Sequence, residues 1–346
     1  MTTVTNRLVS VAAITIILAA ARAAQEIVLP FLLALFIAII MASPVSWLQS
    51  KKVPSGLAVT IVIVVMIAVL FGTTLILASS VAGFSQTMPV YLENLRAVTN
   101  NVFQWLAGIG IKIPQNGISD AFNPGAAMSL INSLLVNLTG LLGNSFLIGM
   151  TVIFILLEAS GFSEKIEYIR DDSGRALRRI SDFVDDTKHY MAIKALTSLA
   201  TGILIAVAMM VLGVDYPVLW GLLAFLLNFI PTIGSIIAAV PAVLLALLQL
   251  GFGSALAVAV VFLIVNMLIG NIIEPRVMGR GVGLSTLVVF LSMVFWGWLL
   301  GPVGMLLSIP LTMLVKFRAE SNEETRWIAV LLSPGVQGKA TKEQVA

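Results

Sequence analysis

The chain has 346 residues, 59% of them hydrophobic and 11% charged, with a mean hydropathy of +1.05. A soluble domain carries about 25% charged residues, so the polar shell a water-soluble core needs is missing and the chain reads as an all-α integral membrane protein. With no cysteine and one histidine, disulfides, thiol nucleophiles, zinc–thiolate sites and multi-histidine metal clusters are excluded, and a net charge of +3 offers no basic surface for a nucleic acid.

A helix needs about 20 mainly apolar residues to cross the bilayer core. The candidates are 8–24, 27–48, 57–78, 144–159, 195–212, 218–250, 254–273 and 284–315. That makes about eight elements, and the sixth and eighth are too long for a straight crossing. Whether these two cross once or fold back as broken, re-entrant elements stays open at this stage. The first run follows Arg7 without a clean cleavage site and is read as a retained span.

The elements divide the chain into three spans (1–78), a small helical extramembrane insertion (79–143), a fourth span (144–160), a charged segment (161–194), a transport core of four more spans (195–316) and a tail (317–346). Eight crossings put Arg7, Lys51, Lys52, Lys316, Arg318 and the charged segment on one side. The excess of basic residues in short loops makes that side cytoplasmic, together with both termini, and makes the insertion periplasmic. Arg276 and Arg280 then fall on the outer side or in the membrane, against the trend.

Within the insertion, Leu92, Leu95, Val98, Val102 and Leu106 recur at helical spacing. A second helix is expected near 128–142. The run "RDDSGRALRRISDFVDD" resembles metal-binding aspartate pairs, but its arginines would neutralise such a site. It is read as a solvated helix laced with opposite charges, and no metal or cofactor is expected.

The last third carries polar interruptions. In "LLNFIPTIGSIIAAVPAVLLALLQL", Asn228 and Thr232 lie among Pro231, Gly234 and Pro241, which mark hinges or breaks. One reading is a discontinuous helix or re-entrant hairpin at a binding site; the other is a plain kink with Asn228 bonded to a neighbouring helix. In "GNIIEPRVMGRGVGLSTLVVF", Glu274 follows Asn266 and Gly270 at spacings of eight and four, with Asn271 beside them. Pro275, the like-charge pair Arg276 and Arg280, and three glycines disfavour a continued helix. Glu274 is expected to pair with one arginine, leaving the other for a ligand, or the pair simply ties two helix ends. Glu158 is either a proton-linked carboxylate or an interfacial residue. Gly297 with Gly301, and Gly304 with Ser308, have small-xxx-small spacing for close packing.

These stretches, with the early "EIVLPFLLALFIAII", resemble the autoinducer-2 exporter family of permeases over nearly the whole chain. Pro231 to Ser235 matches the family's Pro-Thr/Asn-Ile-Gly-Ser signature, and Glu274 to Gly279 its Glu-Pro-Arg-hydrophobic-Met-Gly signature. The resemblance implies a multi-pass inner-membrane protein of about eight helices that exports a small, polyhydroxylated signalling furanone. It also implies a homo-oligomer, pentameric in the family, with an elevator-like movement. Some family members are described as sodium (or lithium)/proton antiporters, which is the alternative function.

The expected partners are the small polar signal and membrane lipid. Asn228, Thr232, Asn266 and Asn271 are expected to bind its hydroxyls, with Glu274, Arg276 and Arg280 as a gate or charged contacts. Glu274 or Glu158 is the candidate for proton coupling. An intramembrane enzyme is not expected: His189 lies outside the spans, and no aspartate lies within one. The physical expectation is a wet, ligand-accepting hollow between these groups.

Overall fold

The computed structural model describes residues 3–108, 133, 145–169, 174–231, 233–278 and 283–334, and among them every regular element is a helix. Five run before the sixth apolar element: α1 (Thr3–Ala23), α2 (Gln25–Ser50), α3 (Ser55–Gly108), α4 (Ser145–Ile169) and α5 (Gly174–Val211). The polar turns sit where Lys51–Lys52 and Pro54 interrupt the apolar pattern. α3 continues without a break through the boundary near residue 79 and through Pro89. Its 54 residues span about 80 Å, far more than a bilayer core. Likewise, α5 absorbs the end of the charged segment into the same helix as the fifth span. The side chains of the Leu92-to-Leu106 stripe and, apart from residue 133, the helix expected near 128–142 lie outside the described residues.

The sixth element is not one crossing. It forms α6 (Pro217–Leu227), a non-helical turn, and α7 (Ile233–Leu250). Eleven residues of α6 rise only about 17 Å, short of the roughly 30 Å apolar core. The two ends of the element also meet. Gln249 Oε1 accepts from the Asp215 backbone N–H at 2.9 Å, and Gln249 Nε2 donates to the Gly213 carbonyl at 3.2 Å. The chain therefore enters and leaves by the same end, as a helical hairpin with its tip at Asn228–Pro231. At the tip the helices approach so closely that a Cβ on Gly234 would overlap the Leu227 carbonyl oxygen.

The eighth element folds back in the same way. In α10 (Thr286–Leu306), Gly301 adopts φ 68°, ψ −157°, which glycine alone tolerates readily. Beyond it the chain returns and continues as α11 (Ser308–Glu320). Trp296 Nε1 donates to Thr312 Oγ1 at 3.0 Å, Gly297 faces Met305, and Gly304 faces the Trp296 carbonyl. At the open end Lys316 Nζ donates to the Gly283 carbonyl at 2.8 Å. The small-xxx-small glycines thus pack the two arms of one hairpin against each other. A short helix, α12 (Arg326–Leu332), closes that end, where Ser285 N–H donates to the Leu332 carbonyl.

Between the hairpins runs α8 (Phe252–Asn266), continued by a π-helix (Met267–Ile273) and α9 (Glu274–Met278). Pro275 lacks an N–H, and in an α-turn its ring would press on the Asn271 carbonyl. The wider π winding, closed by Glu274 N–H on the Ile269 carbonyl, runs up to this proline. Pro275 therefore does not end the helix, and α7 likewise runs unbroken through Pro241.

Among the described residues six helices are long and apolar enough to cross a membrane, but two of them, Ile233–Leu250 and Thr286–Leu306, are hairpin arms. Folding back the sixth element brings the end of α8–α9 to the same side as Lys51 and Lys52. Arg276 lies there, so its exception to the basic-residue trend disappears. The stacking of Phe183, near the start of α5, on Phe317 of the second hairpin (4.6 Å) places that hairpin's open end on this side too. The first hairpin opens to the other side, where α3 holds its base: Tyr91 donates to Asp215 Oδ2 at 2.7 Å and Asn94 to the Leu248 carbonyl at 3.1 Å. The two hairpins thus enter from opposite sides.

Candidate functional site

Burying an ion costs several kcal/mol unless a partner compensates it, so charges inside apolar helices single out a site. Lys194 of α5 and Glu274 form such a pair. Lys194 Nζ donates to Glu274 Oε1 at 2.8 Å and to Oε2 at 3.0 Å, with side-chain accessibilities of 7% and 15%. Thr197 Oγ1 adds a third bond to Oε2 at 3.3 Å. α5 and the π-segment pack side by side, and the π winding ends where Glu274 faces the lysine.

One turn further along the same face of α5, Ser198 is completely buried and accepts from Asn228 Nδ2 at 2.9 Å. Asn228 sits at the tip of the first hairpin, so this bond fixes the tip against α5. Thr201 continues the stripe, donating to the Thr197 carbonyl at 2.9 Å. The constellation is a charge pair flanked by hydroxyls and an amide, drawn from α5, the hairpin tip and the π-helix end. Such groups bind by hydrogen bonds and opposed charges, and Asn228 is bonded to a neighbouring helix while also standing at a re-entrant tip.

The structure brings together Glu274 and Asn228 from the expected set. Asn266 is half-buried on α8, its Oδ1 3.4 Å from where a Gly270 Cβ would stand. Asn271 and Arg276 are exposed. Thr232 and Arg280 lie outside the described residues. Glu158 is exposed on α4, which packs on α2 and α3 rather than beside Glu274. The partner of Glu274 is a lysine, not an arginine.

The expected hollow between these groups is also replaced by direct bonds: ammonium to carboxylate, and amide to hydroxyl. In this conformation the ammonium, the carboxylate, the amide and the Ser198 hydroxyl are engaged with one another. A cavity of about 720 Å³ lies elsewhere, between the start of α5 and α11–α12, lined by Asp182, Asp186, Lys316, Glu320 and Arg326.

Lys194, Thr197, Ser198 and Thr201 were missed in the sequence. Their signal was present: they occupy positions i, i+3, i+4 and i+7, one polar face of an apolar helix. Lys194 was masked by the charged run before it, which made it read as the last loop residue.

Residues 8–320 match the model of the AI-2E family transporters. The chain is 40% identical over 318 residues to the AI-2 transport protein TqsA of Escherichia coli K12, covering 92% of each chain. It is also 40% identical over 331 residues to a Haemophilus influenzae protein (94% and 95% covered), and 36% identical over 328 residues to E. coli YhhT (95% and 94%). Spans, opposed hairpins and a polar constellation inside apolar helices agree with that match over nearly the full length: the chain belongs to the AI-2E family of membrane transporters.

Proposed function

We propose that this transporter exports autoinducer-2 across the bacterial inner membrane, with both termini on the cytoplasmic side. The observation that carries the site is the Lys194–Glu274 pair with Thr197, Ser198 and Asn228 around it, at the tip of a re-entrant hairpin. A polyhydroxylated furanone presents donors and acceptors that can take over these bonds one for one. The similarity to an E. coli protein named for AI-2 transport supplies the substrate. The gathering of Arg276 with Lys51 and Lys52 on one side supports the orientation.

In this reading Asn266, Asn271 and Arg276 line the route along α8, the π-segment and α9 rather than the closed centre. The antiport alternative draws no support from the geometry, because the Glu274 carboxylate is engaged by an ammonium instead of standing open to a metal ion.

The test is autoinducer-2 uptake and efflux by purified protein in liposomes. Export activity should appear with the wild-type chain and fall with Asn228→Leu. Wild-type vesicles that move no more signal than empty ones refute the substrate. A folded Asn266→Leu variant that transports at the wild-type rate removes Asn266 from the route.

A further inference from the structure

We infer that the Lys194–Glu274 pair acts as a charge filter: the site accepts solutes with no net charge and turns away single cations and anions. This rests on the reading that the pair lies on the solute's path, and it adds the solute's charge class and a role for Lys194.

In the closed arrangement one ammonium and one carboxylate cancel, and both are largely withdrawn from solvent. A metal cation that took Glu274 for itself would strand the Lys194 ammonium among buried residues such as Tyr190 and Met191. An anion captured by Lys194 would strand the Glu274 carboxylate in the same way. Each exchange leaves one unpaired ion away from water, which is the costly outcome. A net-neutral solute escapes this cost if it offers an acceptor to the ammonium and a donor to the carboxylate. A hydroxy-ketone, a diol and a zwitterion all meet that requirement. The neighbours reinforce it, since Thr197, Ser198 and Thr201 on one face of α5, and Asn228 bonded to Ser198 from the hairpin tip, are uncharged donors and acceptors. The carrier therefore moves its solute without moving net charge through this site.

The chain has no cysteine, so Thr197→Cys places a lone thiol beside the pair. The thiol is titrated in proteoliposomes with three methanethiolsulfonates: neutral methyl, cationic trimethylammonium-ethyl and anionic sulfonatoethyl. Each rate is divided by the rate with a free thiol. The neutral reagent should lead both charged ones by about tenfold or more, given the cost of an uncompensated buried ion.

Adding Glu274→Gln should raise the anionic rate, and adding Lys194→Gln the cationic rate, because each leaves one sign of charge in place. Asn228→Cys serves as the second thiol position where Thr197→Cys does not fold. A charged reagent that matches the neutral one in the intact pair overturns the filter. So does a preference that fails to invert in the single-charge variants, or no reaction of the neutral reagent at either position. Autoinducer-2 should slow labelling by the neutral reagent. If it does not, while the charge preference and its inversion hold, the substrate assignment fails and the filter stands.

Discussion

Replacing Lys194 by methionine keeps the apolar stem and removes the ammonium, so it isolates the charge. Glu274 would lose bonds of 2.8 and 3.0 Å and keep the Thr197 hydroxyl at 3.3 Å. Removing one partner of a buried pair costs about 3–5 kcal/mol. The remaining hydroxyl and the 15% accessibility of Glu274 place this variant at the lower end, about 3 kcal/mol or roughly 150-fold in the folding equilibrium. Glu274→Leu strands the less accessible Lys194 and should cost at least as much. The double variant Lys194→Met/Glu274→Leu strands nothing, and apolar replacement of a buried pair is often neutral. It should lie within about 1 kcal/mol of wild type while transport is lost. The assay is a double-mutant cycle by equilibrium unfolding in mixed micelles, followed by circular dichroism. A coupling below about 0.5 kcal/mol, the size seen for exposed pairs, refutes the reasoning. So does a double variant whose cost is the sum of the two singles.

The fold-back of the sixth element predicts that a short bifunctional thiol reagent will join Gly213→Cys to Gln249→Cys, since the native carbonyl and amide are 3.2 Å apart. A straight crossing would separate them by about 30 Å, so no cross-link in folded protein sinks the hairpin. Asn228→Leu leaves the fully buried Ser198 hydroxyl without its donor and should lower stability by about 1–3 kcal/mol; Ser198→Ala added to it should recover part of that loss in the same unfolding assay. Gly301→Ala puts a side chain at φ 68°, ψ −157° and should cost about 1–3 kcal/mol, with Gly72→Ala, where an added Cβ meets open space, as the control that shows no loss in thermal unfolding.

Much was legible in the sequence because it depends on local composition. The scarcity of charge fixed the solvent as lipid, and the apolar runs fixed helices. Pro231 and Gly234 marked the break that became a hairpin tip, and Glu274 stood out as an acid in an apolar stretch. Hydropathy, however, measures how many apolar residues follow one another and not their direction. A run of about thirty reads the same whether it crosses or doubles back, and only the bonds from Gln249 to Asp215 and Gly213 distinguish the two.

The choice of partner was equally invisible. Arg276 and Arg280 are near Glu274 in sequence, whereas Lys194 lies 80 residues away and reaches it because α5 packs along the π-segment. The sequence alone thus determined which groups are costly to bury. Tertiary packing decided which group compensates which, because a buried charge takes the partner that folding brings within bonding distance, whatever its distance along the chain.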